Sequence, residues 1–385
     1  MQTPLVLIAE LTHRCPLHCA YCSNPLELVR GSSELTTADW QSVARQAAAL
    51  GVLQLHLTGG EPLLRPDLEI IAASASASGL YTTLITSGLG AKAERATERL
   101  ATLARSGLRA VQVSFQDTLG SAAAAVSGRD ALAEKLAFAR RVRELDVSLT
   151  VNVVLHRGNI ARIVDFIELA ASLGADRLEL AHVQYQGWAR QNQELLLPTA
   201  AQIAQADRLV ARAKLLHAAR LEILYVMPDH LTGRAKPCMG GLGERAIVVS
   251  PSGEVLPCHA ARQLPFQHER VPERTLADVW QNGAAFQAFR GEDWMEEPCK
   301  SCSERGHDRG GCRCQALALT GRATATDPAC RHSPEHGRVL ELRQRANVAA
   351  SERRYLLRGY SPAPVSETVA TTAPARVRVT QVSGA

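Results

Sequence analysis

The ten cysteines of this chain fall into two groups whose spacing is typical of metal ligands. The first group is Cys15, Cys19 and Cys22, and the second is Cys238, Cys258, Cys299, Cys302, Cys312, Cys314 and Cys330. No cysteine occurs in the 215 residues between the groups. Clustered thiols of this kind can hold iron or zinc, so the sequence predicts two separate metal regions.

The first group has the pattern CxxxCxxC. Structural zinc sites usually have four protein ligands, whereas three thiolates on a compact loop can hold three corners of a [4Fe–4S] cluster. One iron would then stay open to a small molecule that chelates it. The alternative is a zinc site that His13 or His18 completes.

The composition limits what kind of protein can carry these groups. Of the 385 residues, 46% are hydrophobic and 21% are charged, which excludes a disordered or fibrous chain. The net charge of +5 is too small to predict nucleic acid as the main partner. No apolar stretch approaches 18 residues and the N-terminus lacks signal-peptide features, so we expect a soluble, cytoplasmic protein. Thiols stay reduced there, which favours metal ligation over disulfides.

The first half of the chain alternates β-rich apolar runs with amphipathic segments, the pattern of βα units around a parallel sheet. The predicted strands are near residues 5–9, 53–57, 81–85, 110–115, 147–155 and 177–181. The predicted helices between them are 37–50, 66–78, 91–105, 129–145 and 160–173. Six units are too few for a closed eight-stranded barrel, so we predict an α/β fold with a partial (β/α)6 barrel. Its active site should lie at the C-terminal ends of the strands.

The second half is less regular. A helix over 199–219 and a strand over 221–226 are predicted to lead into the second cysteine group, where strands 247–249 and 255–256 flank a Pro-Ser-Gly turn and form a hairpin. A helix from about 333 to 345 follows, and 361–385 reads as a disordered tail. These patterns predict domains at 1–220 and 221–345, with a largely disordered extension at 346–385.

Polar residues follow or line several predicted strands. Thr58, Gly59, Gly60, Glu61 and Pro62 form a turn after the second strand, in which two glycines allow close approach of the backbone and Glu61 can fix the turn. Further polar positions are Ser87 after the third strand, Gln112 and Ser114 on the fourth, and Asn152 on the fifth. Each of them could simply satisfy its neighbours inside a barrel.

The CxxxCxxC motif, with Tyr21 before its last cysteine, resembles that of the radical S-adenosylmethionine (SAM) enzymes. The resemblance implies a [4Fe–4S] cluster with an open iron on Cys15, Cys19 and Cys22, where SAM binds and yields a hydrogen-abstracting 5′-deoxyadenosyl radical. The SAM contacts that it implies are Tyr21, Thr58, Gly59, Gly60, Glu61, Ser87, Gln112, Ser114 and Asn152.

The second group combines Cys238 and Cys258 with a CxxC pair and a CxC pair. Neighbouring thiols in CxC are poorly placed to bond each other, which favours metal sites. Two zinc sites are one possibility. The spacing also resembles the SPASM extension of peptide-modifying radical SAM enzymes, except that Asp308 stands at one cysteine position.

Asp308, the following CRC sequence and the segment 181–189 resemble the PqqE family of pyrroloquinoline quinone (PQQ) biosynthesis. This implies a SPASM domain with two auxiliary iron–sulfur clusters. Their implied ligands are Cys238, Cys258, Cys312 and Cys314 for one cluster, and Cys299, Cys302, Asp308 and Cys330 for the other. Alternatively, Asp308 is a solvated loop carboxylate.

The implied activity is a radical carbon–carbon cross-link between Glu and Tyr side chains of the PqqA precursor peptide. Because the first strand begins about ten residues before Cys15, we expect a separate PqqD-like chaperone to present the peptide. An electron donor such as flavodoxin is also implied. The alternatives are a sulfatase-maturing or thioether-forming SPASM enzyme, and a zinc-stabilised binding module without catalysis.

Overall fold

The computed structural model describes residues 3–90, 93–227, 229–347 and 354–359. Within these ranges nine strands form one sheet in the order β7-β6-β5-β4-β3-β2-β1-β8-β9. The strands are β1 (Val6–Glu10), β2 (Gln54–Thr58), β3 (Tyr81–Thr86), β4 (Ala110–Phe115), β5 (Ser148–Leu155), β6 (Arg177–His182), β7 (Glu222–Val226), β8 (Ala246–Val249) and β9 (Val255–Leu256). The predicted α/β fold is confirmed.

The helices cover the sheet and extend into the second half of the chain. They are α1 (Thr37–Ala49), α2 (Leu68–Ala77), α3 (Ala93–Arg105), α4 (Gly120–Ser127), α5 (Leu132–Glu144), α6 (Ile163–Ser172), α7 (Gly187–Gln191), α8 (Gln193–Leu196), α9 (Ala200–His217), α10 (Asp229–Thr232), α11 (Leu276–Asn282), α12 (Ala284–Gln287), α13 (Arg305–Asp308), α14 (Arg313–Thr320) and α15 (His336–Asn347). None of these described helices has the length and apolar character that a membrane span requires.

The parallel part of the sheet is longer than the six predicted units. β7 pairs with β6, and β8 pairs with β1 on the other side, both in parallel. The sheet therefore continues through the domain boundary that we predicted at residue 220. As a result, β1, which leads into the first cysteine group, lies beside the hairpin that leads into the second.

Side-chain alternation separates the two faces of the sheet. On β4, Val111, Val113 and Phe115 are buried in the main hydrophobic core, whereas Gln112 and Ser114 are half-buried. Because successive side chains point to opposite faces of a strand, the two polar residues face the barrel interior. Register places Ser114 opposite Asn152 on β5, and Asn152 opposite Glu179 on β6.

Glu10 links the two halves of the chain at the end of β1. Its Oε1 atom lies 2.6 Å from Nδ1 of His259, the residue after Cys258. Burial alone would raise the pKa of Glu10, but its contacts with His13 and His259 hold the pKa well below its usual range. An ionised carboxylate thus ties the second cysteine region to the first strand.

The turn after β2 packs directly on the loop that follows β1. A Cβ atom on Gly59, whose φ is +129°, would lie 2.4 Å from the carbonyl oxygen of Thr12. A Cβ atom on Gly60 would lie 2.3 Å from the carbonyl oxygen of Arg14, and the Glu61 N–H donates to that oxygen at 2.7 Å. The glycines are therefore required by the backbone that leads into the first cysteine group.

Two short parts of the predicted extension 346–385 lie within the described residues. Helix α15 continues to Asn347, and residues 354–359 pack against the loop of the first cysteine group. Hydrogen bonds hold this segment, and Tyr355 packs against the apolar cluster of Val183, Ala189 and Leu196. The predicted tail over 361–385 lies outside the described residues.

The close packing of the two loops makes Gly60 a sensitive position. We expect Gly60→Ala to lower the free energy of unfolding by about 2 kcal/mol, because the added methyl meets fixed backbone. Gly337→Ala is the matched control, since a Cβ there meets nothing within 4 Å. It should be neutral or stabilise α15 by up to about 1 kcal/mol. Urea denaturation followed by circular dichroism measures the stability of both variants. Equal denaturation midpoints for the two variants would contradict the packing argument.

Candidate functional site

The three cysteines of the first group lie half-buried on one loop, the cluster loop (residues 13–22). Burial raises the pKa of Cys15 to about 11 and that of Cys19 to about 12, and it also raises the pKa of Cys22. Neighbouring thiols add to the shift at Cys15 and Cys19. The free thiols are therefore protonated at neutral pH, and loading the loop with iron must release protons.

Backbone hydrogen bonds fix the cluster loop on both sides. The N–H groups of His18 and Ala20 donate to the carbonyls of Ser127 and Val126 at the end of α4, both at 2.8 Å. On the other side, the carbonyl of Cys22 accepts from the N–H of Trp188 at 3.0 Å. The positions of the three sulfurs are thus set by elements far apart in the sequence.

Both histidines that could complete a zinc site have other contacts. Nδ1 of the buried His13 accepts from the N–H of Val29 at 2.9 Å. Nδ1 of His18 lies 2.7 Å from the carbonyl oxygen of Arg358. Because Nδ1 of His13 accepts a hydrogen bond, the neutral ring carries its proton on Nε2, which disfavours His13 as a zinc ligand, whereas the contact of His18 leaves Nε2 available.

Glu61 is buried and fixes the turn after β2, as predicted. Its carboxylate accepts from the hydroxyl of Thr86 at 2.6 Å and from the backbone N–H groups of Ser87 and Leu63 at 2.8 and 3.0 Å. The hydroxyl of Ser87 also donates to it. Burial raises the pKa of Glu61, and these hydrogen bonds oppose the rise. The structure therefore joins Ser87 to the Glu61 network.

The remaining predicted SAM contacts lie around the barrel interior. The Tyr21 hydroxyl is hydrogen-bonded to Gln116 and Cys19, and its ring centroid is 5.8 Å from that of His156. Thr58 ends β2, and Asn152 is hydrogen-bonded to Glu179. Sequence reasoning missed Glu179. Residues two apart in a strand share a face, so Glu179 lies on the interior face of β6 together with Ala181.

Lys135 is a second residue that the sequence reasoning missed. Its side chain is 2% exposed, and its ammonium donates to the carbonyl of Ser114 at 2.8 Å. Burial lowers the pKa of Lys135 to about 8, and the nearby Cys19 and Glu61 oppose the shift. A lysine on the otherwise apolar face of α5, in line with Phe138 and Val142, was the signal that could have found it.

Four cysteines of the second group lie together and form the Cys238 set: Cys238, Cys258, Cys312 and Cys314. The sulfurs of Cys258 and Cys314 are 4.0 Å apart, and Cys238 contacts both Cys258 and Cys312. Cys312 also contacts Cys314. Among the described residues, no three His, Cys, Asp or Glu side chains are arranged as ligands of a single metal ion.

The other three cysteines and Asp308 form the Cys299 set: Cys299, Cys302, Asp308 and Cys330. Burial raises the pKa values of Cys299 and Cys330, and the charge of Asp308 adds to the rise at both. Asp308 is half-buried at the end of α13, and its Oδ1 accepts from the N–H of Gly310 at 2.9 Å. The structure therefore brings Asp308 close to the cysteines predicted to share its cluster.

Arg313 lies between the Cys238 and Cys299 sets. It is 1% exposed, donates to the carbonyls of Ala323 and Ala325 at 3.0 and 2.9 Å, and stacks 4.6 Å from the ring centroid of Trp294. Burial lowers its pKa, whereas Asp327 and thiols of both sets oppose this. Sequence reasoning used Arg313 only as part of the CRC pattern and missed this role.

A cavity of about 410 Å³ lies beside the Cys238 set, and none of the cluster-loop residues 13–22 lines it. Ser23, next to Cys22, lies in its wall, and Cys238, Cys258 and Cys312 line it as well. The end of β6 and the segment after it contribute further lining residues, namely His182, Gln184, Tyr185 and Gln186. A ligand in this cavity would touch the surroundings of both sites.

Comparison with known families agrees with this geometry. Residues 9–170 match the radical SAM superfamily, and residues 238–303 match the SPASM iron-sulfur cluster-binding domain. In solved structures, SuiB of Streptococcus suis bound to S-adenosylmethionine has a TM-score of 0.71 at 19% identity, over 86% of this chain and 78% of that one. The solved structure of anSMEcpe with bound AdoMet has a TM-score of 0.56 at 14% identity, over 88% of this chain and 96% of that one. These two likenesses show the fold.

Sequence relatives are much closer. A PqqA peptide cyclase of Methylobacterium nodulans is 48% identical over 367 residues, which cover 94% of this chain and 96% of that protein. A PqqA peptide cyclase of Streptomyces rochei is 49% identical over 337 residues, or 87% and 92% of the two chains. The predicted radical SAM and SPASM assignment is confirmed, and the chain belongs to the PqqA peptide cyclase family of radical SAM enzymes.

Proposed function

We propose that this enzyme acts in PQQ biosynthesis by joining a Glu and a Tyr side chain of a PqqA-type precursor peptide. The observation that carries the proposal is the cavity lined by Ser23, which follows Cys22, and by Cys238, Cys258 and Cys312. A peptide side chain held there would contact a candidate electron acceptor, with the residue that follows the cluster loop in the cavity wall. The names of the relatives support the choice of peptide.

The cysteine sets fit three iron–sulfur clusters, or roughly 10 to 12 irons per chain. We assign the [4Fe–4S] cluster that carries SAM to the cluster loop, one auxiliary cluster to the Cys238 set and the other to the Cys299 set. When bound, the loop cluster and SAM supply the 5′-deoxyadenosyl radical that abstracts hydrogen. In this proposal residues 1–220 carry the SAM cluster and residues 221–345 carry the auxiliary clusters, with one sheet shared by both regions.

The protein's own groups would hold SAM. In this proposal the turn 58–61 and the polar residues Gln112, Ser114 and Asn152 contact it, with Glu61 and Ser87 keeping the turn in shape. The ammonium of Lys135, buried beside Ser114 and Cys19, offers a counter-charge to the carboxylate of SAM. Tyr21 closes the interior near the cluster loop.

The cross-link requires a hydrogen atom to leave the Glu γ-carbon and the resulting carbon radical to add to the Tyr ring. The ring then loses one electron and one proton, so the peptide loses two hydrogen atoms in total. The Cys238 set lines the cavity and is the candidate acceptor of the electron.

A histidine in the cavity wall is the candidate acceptor of the proton. Nε2 of His182 lies 3.0 Å from the hydroxyl of Tyr225, which donates to Oδ1 of Asp207 at 3.0 Å. Burial lowers the pKa of His182 to about 4, so its imidazole is neutral and only weakly basic at neutral pH. In this proposal the ring relays the proton to Tyr225 and Asp207 and does not retain it. The exposed Asp207 connects this pair to solvent.

The proposed partners are the precursor peptide, a PqqD-like chaperone that presents it and an electron donor such as flavodoxin, all in the cytoplasm.

Anaerobic incubation of the reconstituted enzyme with SAM, reductant, a PqqA-type peptide and a PqqD-like protein tests the function. Mass spectrometry should find a product lighter by two hydrogens, with fragmentation locating the bond between Glu and Tyr. Any other mass change, such as that of a thioether or formylglycine product, would contradict the proposal. Equal peptide affinity with and without the chaperone would contradict its role.

Cys19→Ala separates the first site from the auxiliary ones. We expect SAM cleavage to 5′-deoxyadenosine to be lost, because two thiolates cannot hold the loop cluster in its catalytic form. Iron at the two auxiliary sets should remain, as measured by iron content and Mössbauer spectroscopy. Retained SAM cleavage would refute the assignment of the loop.

Asp308→Ala tests the oxygen ligand in the Cys299 set. We expect cross-link yield to fall about 10–100-fold, in line with the loss of a metal-site group, while SAM cleavage persists in part. Asp293→Ala, which removes an exposed carboxylate from the same region, is the control. If both variants gave the same cross-link yield as the wild type, Asp308 would be an ordinary loop carboxylate.

A further inference from the structure

Residues 354–359 return from the end of the described chain to the cluster loop. The Arg358 N–H donates to the carbonyl of His18 at 3.0 Å, and its own carbonyl lies 2.7 Å from Nδ1 of His18. Two residues earlier, the N–H of Leu356 donates to Oδ1 of Asn192 at 2.8 Å. The amide of Asn192 in turn donates to Leu356 and to Ala20, at 2.8 and 2.9 Å. The segment is thus bonded directly to His18 of the cluster loop and, through Asn192, to Ala20.

The side chain of Arg358 reaches beneath this loop. It is only 4% exposed, and its guanidinium donates to the carbonyls of His13 and Leu17. Leu17 lies two residues after Cys15, and His13 lies two residues before it. The arginine therefore bridges the backbone on both sides of the first cysteine.

Arg358 has no carboxylate partner within 4 Å in the described part of the chain, and its Nε atom is buried without a hydrogen bond. A buried guanidinium without an anion is strongly unfavourable. The positive charge of Arg358 acts on the thiols of Cys15 and Cys22, where it opposes the rise in pKa that burial causes. The missing anion is therefore expected at the cysteines.

We propose that Arg358 is a positioning residue for the cluster on Cys15, Cys19 and Cys22. Its guanidinium holds the loop backbone in the ligating shape and offsets the negative charge of the thiolate-bound cluster, while residues 354–359 cover the loop. The inference requires a cluster on this loop but not the Glu–Tyr chemistry. A failure of one can therefore be told from a failure of the other.

The test uses the full anaerobically reconstituted chain and the variants Arg358→Gln and Arg358→Lys. Arg354→Ala, which removes an exposed arginine from the same segment, is the control. The readouts are the midpoint potential of the electron paramagnetic resonance signal that changes on adding SAM, and the rate at which air destroys this signal. The auxiliary signals, which do not respond to SAM, report on the rest of the protein.

Loss of the positive charge makes reduction less favourable. Arg358→Gln should therefore change the ratio of oxidised to reduced cluster about tenfold at the wild-type midpoint, a shift of about 59 mV to more negative potential. Air should also destroy the signal faster. Arg358→Lys keeps the charge but not the fork of donors, so its midpoint should stay near the wild-type value while the signal is still lost faster.

The proposal is overturned if Arg358→Gln has the midpoint and the lifetime of the wild type and of Arg354→Ala. If the Gln variant does not fold, Arg358→Lys decides. A SAM-responsive signal that is lost faster than in the wild type then supports the proposal, and a wild-type lifetime overturns it.

Discussion

Buried positive charge beside cysteine sulfur is the constraint on which the rest of this structure depends. Lys135, Arg313 and Arg358 are each at most 4% exposed, and each is hydrogen-bonded to backbone carbonyls. None of the three has a carboxylate within 4 Å among the residues that the structure describes. An uncompensated buried ion costs several kcal/mol, so each cation requires a nearby anion. Thiolate-bound clusters supply such anions, and the three cations lie beside the cysteine sets.

The sheet brings these charges together. β1 lies between β2 and β8, so the cluster loop at its end has the turn of β2 on one side and the hairpin of the Cys238 set on the other. Glu10 and His259 join the two regions at this point. Strand order therefore places the two cysteine regions side by side. A linker between independent domains would not fix the distance between the two cysteine regions in this way.

The local parts of this arrangement could be predicted from the sequence. The CxxxCxxC spacing, the two glycines after β2 and the alternation of Gln112 and Ser114 each depend on a few neighbouring residues, and each is found in its predicted place. Lys135 could also have been found, since a lysine on an apolar helix face needs a partner. Arg358 could not, because it is 340 residues from His18 and belongs to a segment without periodicity. Long-range contacts of a single charged residue leave no pattern in the sequence.

The position of Arg313 couples the two auxiliary sets. Its guanidinium interacts electrostatically with the thiols of Cys238 and Cys312 in one set and with that of Cys299 in the other. Two anionic clusters would repel each other across this short stretch of protein, and the repulsion is strong where water is excluded. A shared guanidinium reduces it, because each cluster is attracted to the same cation. If both proposed clusters are bound, Arg313 is the buried charge that acts on both of them.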